Sequence, residues 1–200
     1  MQQFLALYLK LFFLLTPFFV LSTFISLTAD SAPEVRTRLA WRIGLGAAGV
    51  TLVIFLIGEY IMRVFGITVD AFRAGSGVLL LLSAISLVFG KTDGHKPLTP
   101  QTLYDMAIVP LAVPITAGPA TLGTLMVMGT TTHGLLPKIL TAAAIAAACA
   151  SIALMLHLSD RLVAIVGHSN ISILSKITGL ILSAMALQMI VIGVRNLWLS

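Results

Sequence analysis

Six apolar runs of roughly 20 residues, the length of a membrane-spanning helix, recur at 4–28, 43–65, 73–90, 104–130, 137–158 and 171–194. They leave few options for the fold, because a backbone in hydrocarbon has no water to bond and must satisfy its own amides. The charge content agrees: 10% of the 200 residues are charged, against about 25% in soluble domains. The runs consume nearly the whole chain, so the expectation is one all-α, polytopic transmembrane domain, 1–200, of six helices, with no separate soluble part.

The first run stays in that count. "MQQFLALYLKLFFLLTPFFV" lacks a basic leading region and a small-residue cleavage site, and its apolar stretch of about 25 residues is too long for a signal peptide. The single cysteine, Cys149, sits in "TAAAIAAACASIALM" and reads as a small packing residue. The net charge of +5 does not point to nucleic acid, since the basic residues are scattered through short loops beside spans, as membrane topology requires. Loops after the first, third and fifth spans carry Arg36, Arg38, Arg42, Lys91, Lys96, Arg161 and Lys176, and the opposite face carries Arg63, Arg73, Lys138 and Arg195. By the positive-inside rule both termini lie outside the cytoplasm, with the inner (plasma) membrane as the location. Lys10 is left out of the count because a long side chain can snorkel to the interface.

The second half of the chain repeats the first. "LLTPFFVLSTF" aligns with "TAGPATLGTLM", placing Pro17 on Pro119 at an offset of 102. "GEYIMRVFG" aligns with "SDRLVAIVG", and "RAGSGVLLLLSAISLVFG" with "KITGLILSAMALQMIVIG", at offsets of 101 and 103. Three matches in one order with a near-constant offset indicate duplication, with repeats at 1–97 and 98–200. An odd number of spans per copy inverts the second copy in the bilayer, a plan common among secondary transporters. A rival topology turns the chain back at Pro17 and Pro119, making 4–28 and 104–130 re-entrant hairpins; the charge count is the same for both.

The prolines mark where a site can form. Thr16-Pro17 and Gly118-Pro119 each read as the start of a new helix, with proline at the first helical position, a Thr16 hydroxyl available to cap and Gly118 free to take a helix-ending conformation. The first and fourth spans are then broken helices, each a pair of half-helices meeting near the bilayer middle. Broken backbone at that depth survives only where protein or a water-filled cavity covers it, and a half-helix N-terminus favours an anion or carboxylate. Pro110 and Pro114 widen the second break by freeing carbonyls on the preceding turn. A proline kink that serves packing alone is the plainer alternative.

"VPLAVPITAGPATLG", together with "AFRAGSGVLLLLSAISLVFG" and "GLILSAMALQMIVIG", resembles the MarC family of six-span bacterial and archaeal inner-membrane proteins, described as small neutral amino acid transporters. The similarity extends over essentially the whole chain and implies site positions at Pro114, Ala117, Gly118 and Pro119. The family's first-span motif, an Asp or Asn followed by Pro, a variable residue, Gly and Asn, reads here as "TPFFV": Thr16 replaces the acid or amide, Phe19 the glycine and Val20 the asparagine.

Other chemistry is sparse. Only Glu59 and Asp160 among the acids fall within or at the end of a span, and each has a neighbouring arginine, Arg63 or Arg161, so a relay of buried carboxylates is not supported. The histidines lie in loops or near span ends. No metal-binding, phosphate-binding or nucleophile motif occurs, so neither an enzyme nor a cofactor is expected. Small residues at Gly75 and Gly77 and from Ala142 to Ala150 suit close helix packing.

The expected function is a secondary transporter or facilitator for small neutral amino acids or similar small metabolites. The polar groups expected at its substrate site are the hydroxyls of Thr16, Thr116, Thr121 and Thr124, with Ser22 and Thr23 across the repeat, and the Gln188 amide, beside Pro17 and Pro119. Partners are the small-molecule substrate, the lipid bilayer and a sodium ion for coupling, with self-association left open. The alternative is a non-transporting membrane protein that assembles with a partner through its small-residue faces.

Overall fold

The computed structural model describes residues 2–28, 31–89 and 118–199. All regular structure among them is helical: α1 (Gln2–Leu14), α2 (Pro17–Leu27), α3 (Pro33–Phe65), α4 (Val69–Phe89), α5 (Pro119–Thr131), α6 (Leu135–His157), α7 (Ser159–Val166) and α8 (His168–Leu199). Four of these, α3, α4, α6 and α8, are long and apolar enough to cross a membrane, and the count is five if the bent pair α1 and α2 is one span. Of the fourth span expected from the sequence, only the second half, α5, is described. Pro110, Pro114, Thr116 and Ala117 lie outside the described residues.

Prolines start three of the helices, at Pro17, Pro33 and Pro119, where the missing N–H would have no intrahelical acceptor anyway. Pro33 begins α3 well before the apolar run at 43, so Arg36, Arg38 and Arg42 are helical rather than in a loop. The helix tolerates them because Leu39, Ala40 and Ile43 keep one face buried. The helix stops at Gly66, whose φ of 64° is left-handed, and Ile67 N–H returns to the Met62 carbonyl at 3.0 Å, closing the last turn as glycine caps do. The short α7 had no counterpart in the hydropathy pattern, which gave a loop there. Arg36 ties it to the start of α3 through Asp160 at 2.6 Å.

Helices pack where side chains are smallest. Gly44 on α3 backs onto Ala153 on α6, Gly129 on α5 onto the Phe55 carbonyl of α3, and Gly123 on α5 onto Ser76 of α4. The α4–α8 pair is antiparallel and reciprocal: Gly77 faces Ala186 and Ile190, while Gly179 faces Ala84 and Val88. The contacts interchange at an offset of 102, one residue short of the 103 of the sequence alignment: Gly77, Ala84 and Val88 become Gly179, Ala186 and Ile190. The same exchange relates the broken segments: α5 packs between α3 and α4, and α1 and α2 pack on α6 and α8.

The outer surface is apolar. Leu45, Leu56, Tyr60, Ile139, Leu180 and Leu187 are exposed, a surface that suits lipid and not water. The charged groups gather at two ends, as the loop count anticipated. Arg36 and Asp160 meet at one end. At the other, Glu59 pairs with Arg63 at 2.7 Å and approaches Lys138 at 3.9 Å, while Asp70 holds Arg73 at 2.8 Å and Asn196 at 3.0 Å.

Candidate functional site

The chain bends at Thr16, where the axes of α1 and α2 differ by 40°. Thr16 makes the bend with φ 49° and ψ 55°, the one non-glycine residue with positive φ among the described residues. A β-branched residue in this region costs on the order of 1–2 kcal/mol.

That conformation overturns the capping role expected of the Thr16 hydroxyl. Side-chain capping needs an extended backbone at the cap position, and the left-handed Thr16 makes no such bond. The first intrahelical bond of α2 is Val20 N–H to the Thr16 carbonyl at 3.0 Å, which leaves the Phe18 and Phe19 amides ahead of the ladder. At the second break Leu122 N–H bonds the Gly118 carbonyl at 3.0 Å, and Ala120 and Thr121 stand in the same relation to α5. Gly118 itself has φ −59° and ψ 168°, a conformation open to any residue.

Both breaks open on one cavity of about 220 Å³, lined by Thr16 and Phe19 from the first, Gly118, Ala120 and Thr121 from the second, and Leu80, Ser83, Ser86 and Leu182 from the α4–α8 pair. The volume falls somewhat below the ~300–1,000 Å³ of pockets for drug-sized ligands, the scale of a small metabolite. Two half-helix N-termini therefore bring positive ends to one small space. Phe19, which stands where the resemblance called for glycine, forms part of the wall.

The site residues expected from the sequence are divided by the structure. Thr16, Gly118 and Thr121 meet in this cavity. Pro17 and Pro119 start the two half-helices beside it. Thr124 and Gln188 line a separate cleft of about 270 Å³ with Lys10, Arg73, Thr131 and Met189. Within the first cavity the hydroxyls differ in availability. Thr121 Oγ1 donates to the Leu14 carbonyl at 3.1 Å and Ser83 to the Leu79 carbonyl at 2.9 Å, whereas Thr16 has no side-chain partner at its cap.

Sequence reasoning missed Ser83 and Ser86, because serine in an apolar span reads as a packing residue. The alignment at 103 hid the signal by pairing Ser86 with Met189; at the packing offset of 102 Ser86 corresponds to Gln188, which was singled out for its polarity. Of the alanine run at 142–150, Ala144 and Ala148 are buried with Cys149, whose Sγ lies 3.7 Å from the Thr51 hydroxyl, while Ala143, Ala146 and Ala150 are exposed.

The model of a family described as MarC family integral membrane protein matches residues 1–198. The chain is 32% identical over 200 residues to a UPF0056 membrane protein of Methanocaldococcus jannaschii, covering 98% of each chain. It is 30% identical to one from Pyrococcus abyssi, over 98% of this chain and 96% of that one. With the UPF0056 membrane protein YhcE of Escherichia coli it shares 27% identity, over 96% of this chain and 91% of the other. No solved structure matches.

Proposed function

This chain belongs to the MarC family of integral membrane proteins, and on that premise we propose that it is a multi-pass transporter or facilitator of the inner membrane. Its cargo is a small neutral amino acid or similar metabolite, held between the Thr16-Pro17 and Gly118-Pro119 breaks. The observation that carries this reading is the shared cavity: two helix breaks 102 residues apart in sequence open on the same 220 Å³ space. A packing kink alone gives no reason for both breaks to face one void.

The reciprocal α4–α8 contact supports the inverted-repeat plan. Antiparallel helices whose contact residues interchange under a constant offset are what a two-fold axis in the membrane plane produces. Such an axis places equivalent groups on either side of a midplane site, the arrangement that alternating access uses. In this reading the amides ahead of α2 and α5 receive the substrate carboxylate, and the Thr16 and Ser86 hydroxyls receive its amino group. Coupling runs to sodium through hydroxyls and carbonyls, since no carboxylate lines the cavity among the described residues.

Uptake of labelled glycine, alanine, serine and threonine into proteoliposomes, with and without a sodium gradient, tests the proposal. Transport of one of them above protein-free vesicles supports it. Absence of uptake and of counterflow for the whole set, with folded and inserted protein, overturns it. Cysteine labelling in a Cys149-free background tests the orientation: both termini and positions 70 and 133 should label from outside, positions 36 and 168 from inside.

A further inference from the structure

The second cleft is unlike the first because it is cationic. Lys10 from α1, Arg73 from α4 and Gln188 from α8 line it, with Thr124 and Thr131 from α5. Lys10 and Arg73 line the same cleft, so the fold brings two like charges to one space. Arg73 is balanced by Asp70 at 2.8 Å. The remaining ion pairs among the described residues engage Arg36, Arg63 and Lys138, and none engages Lys10. The cleft is left with about one positive charge and three kinds of N–H donor, an ammonium, a guanidinium and an amide, a set that favours an anion when both cations are charged.

Depth narrows the class of anion. Thr124 is seven residues from the end of α5 at Thr131, about 10 Å of helix at 1.5 Å per residue. Lys10 stands four residues before the end of α1 at Leu14, about 6 Å from the first break. A charge this far along a spanning helix is expensive unless it pairs or faces a wet space. The cleft also adjoins the break cavity along α5, since Thr124 and Thr121 are one helical turn apart and line one space each.

We propose that Lys10, Arg73 and Gln188 form a binding site for a small monocarboxylate solute, an antechamber through which the carboxylate of the cargo reaches the break cavity. Its role as an antechamber rests on the carrier reading; binding of the carboxylate does not. A headgroup phosphate of an anionic lipid offers similar charge but sits at the interface, above the Thr124 floor.

Residue-resolved labelling of lysine amines by an acylating reagent, read by mass spectrometry on the full chain in detergent, tests the site without any need for transport. Propionate should slow acylation of Lys10, whereas propionamide, the same shape without the charge, should not. Lys138 serves as the control and should be indifferent to both. Arg73→Gln should weaken protection by propionate about tenfold, as loss of a charged hydrogen-bond partner implies, and Gln188→Met should weaken it a few-fold while leaving both cations in place. Arg63→Gln should leave it unchanged.

Equal protection by sodium chloride at the same ionic strength would mean screening only and would overturn the site. So would protection that needs phosphatidylglycerol nanodiscs and is absent with phosphatidylcholine, which would assign the cleft to a lipid headgroup. If Arg73→Gln does not fold, the Gln188→Met result decides. Protection by propionate in a protein that moves no amino acid would sink the carrier reading and leave this one standing.

Discussion

The hydroxyl of Thr121 donates a 3.1 Å hydrogen bond to the carbonyl of Leu14, the last residue of α1. One break is thereby stapled to the other, across 107 positions of sequence. The bond meets a specific need: Leu14 ends a helix inside the protein, where its carbonyl has no intrahelical donor, and Thr121 is 5% exposed.

Thr121→Val should therefore lower stability as well as activity. Removing the hydroxyl leaves the Leu14 carbonyl unsatisfied in an apolar setting, a loss of about 1–3 kcal/mol, visible as a lower Tm in detergent. Thr121→Ser should restore most of it. From sequence, this hydroxyl reads as a substrate ligand whose loss changes affinity more than stability; the staple reverses that order. An unchanged Tm in Thr121→Val would show that the bond carries no weight.

Thr16 gives the complementary case. Its hydroxyl makes no cap bond, so Thr16→Val, which keeps the shape, should hold Tm nearly constant while reducing uptake of the cargo a few-fold to about tenfold, the value of one neutral hydrogen bond. Thr16→Gly removes the left-handed penalty and should stabilise by about 1 kcal/mol. If Thr16→Gly lowers Tm instead, strain at the bend is not what the residue contributes.

What could be read from the sequence was the chain's punctuation. Pro17 and Pro119 start helices because proline's chemistry at a first helical position is local, and the duplication showed in the numbering to within one residue of the packing offset; Pro33, which starts α3, was not read. The left-handed Thr16 was not legible, since its φ is imposed by the packing of both half-helices and contradicts its own preference. Gln188 was recognised as a polar group within a span but lines the second cleft and not the break cavity: polarity says that a residue needs a partner or a cavity, not which one. The length of α3 escaped hydropathy for a similar reason. A helix with one buried face accepts arginines on the other, and no average over a window separates the two.

Reciprocal packing of α4 and α8 predicts matched effects of matched substitutions. A Cβ at Gly77 would lie 2.8 Å from Ile190 Cγ1 and 3.0 Å from the Ala186 carbonyl oxygen; one at Gly179 would lie 2.8 Å from Val88 Cγ2 and 3.0 Å from the Ala84 carbonyl oxygen. The near side chains can move but the carbonyls cannot without parting the helices, so Gly77→Ala and Gly179→Ala should each destabilise by about 1–3 kcal/mol. The double variant should lose less than the sum, because helices already parted by one Cβ admit the second. Gly75→Ala, where nothing lies within 4 Å, is the control and should be neutral. Additive losses would mean that the two contacts are independent.

Gly118→Leu separates a site from a kink. Its backbone, at φ −59° and ψ 168°, accepts any L-residue without strain, and it lines the cavity. A leucine there would occupy much of the 220 Å³ between the breaks while leaving the Thr121–Leu14 bond and the α4–α8 contact untouched. Uptake should vanish and Tm should stay within a few degrees of the parent protein. Thermal unfolding measured beside proteoliposome uptake distinguishes three results. Lost uptake with retained Tm places the cargo at Gly118, full uptake removes it from the path, and a parallel fall in both assigns the break to packing.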